Sequence, residues 1–153
     1  MESTVRTIEL LNDLVLINND RILGYERALK AIRDRDYDPT LEPTFLKFID
    51  DSRRYKMQLG TEIQALGHDM EQGTTAEGAI HRAWMALKKT FKGSSEHDML
   101  EECEFGEDAI RNAYEQALEE DWLPAYLTDM LDEQLDELID AHDEIRSLRD
   151  SVH

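Results

Sequence analysis

The sequence predicts an all-α protein, a bundle of four long helices. Three observations lead there. Apolar residues recur at alternating steps of three and four in four separate segments, the spacing that holds one side of a helix against a partner. No segment shows the alternation of a half-buried strand. The segments are joined by a short, a long and a short connection, which yields two antiparallel pairs linked by one crossover.

The first segment, about 4–33, carries Ile8, Leu11, Val15, Asn18, Ile22, Tyr25, Leu29 and Ile32 without a miss. Asn18 is the one polar residue on that seam. Gly24 and Ala28 beside it allow close approach of another helix. Pro39 biases Asp38 away from helical geometry and ends the segment. The second segment, about 41–66, tolerates Pro43 in its first turn. It reads along Phe45, Phe48, Ser52, Tyr55 and Leu59, or along Phe45, Ile49, Ser52, Lys56 and Ile63. A wide face shared by both stripes leaves Glu62 at its margin, and Gly67 provides the stop.

The connection 67–95 is too long for a turn. Thr74 with Glu77 reads as a capping box, followed by Ile80, Trp84, Leu87 and Phe91 on one side and Gly93 at the end. A short crossover helix over about 75–92 follows, expected to expose more apolar surface than the long helices. Ser95 caps the third long segment, about 96–120, and Pro124 opens the fourth, about 124–151. The fourth runs along Leu127, Leu131, Gln134, Leu138, Ala141, Ile145, Leu148 and Val152, with His142 beside the seam. The whole, 1–153, reads as a single domain whose connectivity is that of ferritin-like folds.

Composition narrows the role. There are 35 Asp and Glu against 17 Lys and Arg, a formal net charge of -18. Such a field repels phosphate backbones and anionic lipid headgroups, so neither a nucleic acid nor a membrane is expected as a partner. The single cysteine cannot form an internal disulfide and suits a reducing compartment. With no apolar run long enough to span a bilayer and no secretory leader, a cytoplasmic location is expected.

The residue that asks for an explanation is Glu107. On the third segment Leu100, Cys103, Ile110, Tyr114 and Ala117 keep the apolar step, and Glu107 takes the place between Cys103 and Ile110. It should point into the core. Asn18, Glu107 and Gln134 are therefore the expected core polar residues, with Asn18, Tyr55 or Gln134 as hydrogen-bond partners for Glu107. Single buried polar groups of this kind fix register in helical assemblies. On that basis Glu107→Gln should hold or raise stability, since a charge need no longer be buried.

The segments Leu10–Leu14 with Gly24–Glu26, His81–Lys88, Glu101–Ala109 and His142–Arg149 resemble a bacterial family of ferritin-like four-helix-bundle proteins, domain of unknown function 2383. The resemblance covers nearly the whole chain and is most specific between Glu102 and Asp108. It implies the fold and carries no established reaction. By analogy it makes a homodimer the expected assembly.

A di-iron or di-manganese bundle needs a carboxylate from each of two helices and a Glu-x-x-His pair from each of the other two. No Glu-x-x-His occurs in this chain, and Ile139 stands where such a motif around His142 would need a glutamate. A reduced iron or manganese site is the alternative, built from Glu107, Glu104, Glu26 and His142. His81 with Glu77 is a weaker pair, one turn apart. Cys103 reads as a small core residue, Tyr25 and Tyr114 as seam aromatics, and Phe105 as a partner for Trp84 or Phe91. Gly106 is read as a bulge or close approach. No phosphate loop, nucleophile elbow or Cys-x-x-Cys is present, so no catalytic or cofactor-binding residue is assigned. The favoured function is that of a non-enzymatic bundle acting through self-association or a protein partner; the alternative is a metal-binding or ferroxidase-like protein.

Overall fold

The computed structural model describes residues 2–73 and 95–152. They form four helices: α1 Glu2–Asp34, α2 Leu41–Ala65, α3 Glu96–Leu118 and α4 Ala125–Asp150. No strand occurs among the described residues. The expected short helix over 75–92, with His81, Trp84 and the partners suggested for Phe105, lies outside them.

The helix ends follow local chemistry. At the end of α1, Asp36 takes a left-handed conformation at φ 55° and the Tyr37 amide donates to the Ile32 carbonyl at 3.0 Å. Gly67, at φ 90°, does the same for α2: its own amide donates to the Gln64 carbonyl and that of His68 to Ile63. Both are six-to-one closures that satisfy carbonyls the helix leaves open. Ser95 caps α3 by accepting from the Asp98 amide at 3.0 Å. Between α1 and α2, the Asp38 carboxylate accepts from the Thr40 amide and hydroxyl, which lowers its pKa, and the Asp38 amide donates to Glu96 at the start of α3.

Cross-helix contacts fix the topology. Arg21 reaches Ser52 while Arg33 reaches Glu42, so α1 and α2 are antiparallel. Tyr114 meets Gln134 while Glu104 meets Arg146, so α3 and α4 are antiparallel too. Asn18 bonds Tyr114 and Arg21 bonds Glu107, which sets α1 against α3 in opposite sense. It follows that α2 and α3 run parallel, and the end of one lies at the opposite end of the bundle from the start of the other. Residues 67–73 begin the return along α1: the Glu71 amide donates to Asn12 and the Asn19 side chain to the Gly73 carbonyl.

The core has two apolar halves. One gathers Leu11, Leu14, Tyr55, Leu59, Ile110, Leu127, Leu131 and Leu138; the other gathers Tyr25, Ile32, Phe45, Phe48, Met99, Leu100 and Ile145. On α2 both expected stripes are buried, Phe48 and Ile49 alike, and Glu62 and Lys56 sit at the margin. Gly106 is buried within regular helix, with no bulge. Asn18 is not the only polar residue on the seam of α1, because Arg21 lies there as well, 1% exposed. The two halves meet at a polar layer built around these two residues.

Candidate functional site: a polar layer across four helices

Arg21 enters the core because α1 is buried over more than one narrow stripe. Leu11, Leu14, Asn18, Arg21, Tyr25, Ala28 and Ile32 also step by three and four, and all are buried. An arginine placed there must find a counter-charge, since an isolated buried cation costs several kcal/mol or more. Glu107 of α3 supplies it. Arg21 Nε donates to Glu107 Oε1 at 2.9 Å, and both side chains are 1% exposed. The Tyr25 hydroxyl donates to the same oxygen. The guanidinium lies between two rings, 5.5 Å from the Tyr25 centroid and 5.3 Å from that of Phe48, where the ring faces favour a cation.

From Arg21 the hydrogen bonds continue without a break. Its Nη1 donates to the Phe48 carbonyl at 3.2 Å and to Ser52 Oγ at 3.0 Å. Ser52 donates to Asn18 Oδ1 at 2.9 Å. Asn18 Nδ2 donates to the Leu14 carbonyl and, at 3.0 Å, to the Tyr114 hydroxyl. Tyr114 donates to Gln134 Oε1 at 2.6 Å, and Gln134 Nε2 donates to Gln58 at 2.9 Å. Every helix contributes to this one chain. Any slide of one helix by a turn would strand several buried polar groups at once, so the layer sets register.

Asn18, Glu107 and Gln134 are thus all buried, but they do not meet as a trio. The expected partners of Glu107 are corrected: Arg21 and Tyr25 hold it, because Asn18 lies a turn away, level with Tyr114. With Arg21 as its partner, Glu107→Gln destabilises rather than holds or raises stability, because it leaves a buried guanidinium without its anion. Arg21 was missed because arginine reads as a surface residue. The alternative stepping through Leu14, Arg21 and Ala28, together with a seam glutamate lacking a cation, was the signal that could have found it.

The electrostatics of the layer follow from burial. Burial alone lowers the Arg21 pKa, yet the Glu107 carboxylate beside it brings the net shift upward, so the guanidinium stays charged. Burial first, then the Glu107 charge, hold the Tyr25 phenol well above its ordinary value. Tyr55 and Tyr114 are raised chiefly by burial. The Cys103 thiol is raised by burial and then by Glu107 and Glu102, the opposite of what a reactive thiolate needs. Glu107 Oε2 and Arg21 Nη2 make no hydrogen bond among the described residues, so the pair is incompletely satisfied.

The four residues of the reduced metal site do not come together. Glu107 is committed to Arg21. Glu26 is exposed, 3.8 Å from Arg53. Glu104 and His142 do approach, with His142 Nε2 3.8 Å from Glu104 Oε1, at the edge of the α3–α4 seam. There Asp108, which the sequence reading passed over, is closer still at 2.6 Å. It follows Glu104 by four residues, one turn along α3, so both carboxylates face the same way. Phe105 is exposed at 59%, and among the described residues no helix is long and apolar enough to cross a membrane.

A family model described as Domain of unknown function (DUF2383) matches residues 6–120 of the chain. That span takes in Asn18, Arg21, Ser52, Glu107 and Tyr114, most of the polar layer. No curated protein matches the sequence.

Proposed function

The chain belongs to that family, and from this premise we propose that it is a non-enzymatic, ferritin-like bundle of the cytoplasm that acts through self-association or a protein partner. One observation carries the reading. At mid-height, where a dinuclear carboxylate bundle places its cations, Glu107 is already neutralised by Arg21, a buried guanidinium that repels a metal ion from the same space. The parallel sense of α2 and α3 supports a ferritin-like topology. Outward-facing Leu46 and Met57, three turns apart on α2, and Phe105 on α3 offer apolar contacts to another protein. The charge of -18 argues against nucleic acid as that partner.

Sedimentation velocity over a wide concentration range tests the reading, with Phe105→Ala, Leu46→Ser and Met57→Ser alongside the wild type. An assembly in the wild type that shifts toward monomer in one of these variants, with unchanged helix content, is the expected result. An assembly indifferent to all three, or a wild type that turns over a substrate, overturns it.

A further inference from the structure

We propose that Glu104, Asp108 and His142 form a divalent transition-metal site at the edge of the α3–α4 seam, of which zinc is the fitting probe. The three residues offer ligand atoms that all lie within 4.8 Å of one another. His142 is 1% exposed, and among the described residues its Nε2 makes no aligned hydrogen bond although it points between two carboxylates, 2.6 Å from Asp108 Oδ1 and 3.8 Å from Glu104 Oε1. On the other side of the ring, Nδ1 lies 3.3 Å from Asp143 Oδ1. With the proton on Nδ1, beside that carboxylate, the Nε2 lone pair faces Asp108 and Glu104, the orientation that metal-ligating histidines receive from an outer carboxylate. In that tautomer a lone pair faces two anions, and a cation that enters as the half-exposed Asp108 carboxylate draws back from its 2.6 Å contact relieves the repulsion.

One imidazole and two carboxylates match the borderline donor set of zinc and its neighbours, and three protein ligands leave a coordination position open. Asp108 is 49% exposed, so an ion reaches the site from solvent. Glu104 bonds Arg149 through Oε2 and lies 3.3 Å from Arg146 through Oε1. These partly exposed guanidiniums can return to water when an ion takes Glu104, and until then they reduce its charge, which makes Asp108 and His142 the dominant ligands. The site lies apart from the Arg21 and Glu107 pair and adds a ligand that the interaction reading does not include.

Protein stripped with chelator and dialysed is titrated with zinc chloride by calorimetry. The wild type should take up one ion per chain in a saturable step. Asp108→Asn, which alters a half-exposed side chain and leaves the core intact, should weaken uptake at least tenfold, and so should His142→Gln. Asp143→Asn should weaken it by roughly ten- to a hundredfold, the usual effect of losing an outer carboxylate. His97→Gln removes the histidine of a second cluster, His97, Asp98 and Glu101, and should change nothing. Absence of saturable uptake overturns the proposal. So does full uptake by a folded Asp108→Asn variant, or a loss confined to His97→Gln.

Discussion

Glu104 and Glu107 stand three residues apart on α3, and each meets arginine, yet they live under different physics. Glu107 is 1% exposed and faces Arg21 across the bundle from α1. Glu104 is itself only 10% exposed, but it lies at the rim, where its partners Arg146 and Arg149 of α4 are 54% and 25% exposed and keep part of their surface in water. A buried pair is bound by the cost of separating its charges without solvent; a rim pair can trade its partner for water. The same side chain is therefore a fixed part of the frame in one place and an exchangeable group in the other. Only the exchangeable one is free to serve a ligand.

Cutting the buried pair should produce the largest effect. Arg21→Met leaves the Glu107 carboxylate in the core without a counter-charge, and urea unfolding should report a loss of about 3–5 kcal/mol. Next comes Tyr114→Phe, which removes the hydroxyl that accepts from Asn18 and donates to Gln134. It leaves Gln134 Oε1 without its donor and one Asn18 N–H without its acceptor, and the same measurement should show a loss of about 1–3 kcal/mol.

A third test uses pH. Cys103, Tyr25, Tyr55 and Tyr114 all have raised pKa values in the fold, from ordinary values of 9.0 for the thiol and 10.0 for the phenols. Above those values the native chain keeps protons that the unfolded chain releases, so the slope of stability with pH is negative. Their contribution is fully present below about pH 9 and is lost as pH rises beyond it. The urea midpoint should fall between pH 9 and pH 11, and Tyr25→Phe should flatten the decline; a midpoint that rises over that range would count against the layer.

The smallest effect belongs to the rim. In metal-free protein, Glu104→Gln should cost no more than about 1 kcal/mol, because Arg146 and Arg149 regain water when their anion is removed. A loss as large as that of Arg21→Met would erase the distinction between the two carboxylates.

The four helices were legible because apolar stepping at three and four is a local property, repeated long enough to be unmistakable. So was the burial of Glu107, flanked on its stripe by Cys103 and Ile110. Pairing across helices was not. Arg21 sits on a stripe that overlaps the one through Val15 and Ile22, and nothing local says which helix face meets α3. Asp108 lies off the apolar stripe altogether. Its importance emerges only when α4 brings His142 alongside, a consequence of bundle register, and register is set by the polar layer that includes Arg21.

Arg21 and Glu107 act as one structural unit, and a double-mutant cycle measures how far each depends on the other. Urea unfolding of the wild type, Arg21→Met, Glu107→Gln and the double variant gives the coupling free energy. Each single change should destabilise the fold, and the double variant should lose less than their sum, with a coupling of about 2–3 kcal/mol. A Glu107→Gln protein as stable as the wild type, with a coupling near zero, would contradict it.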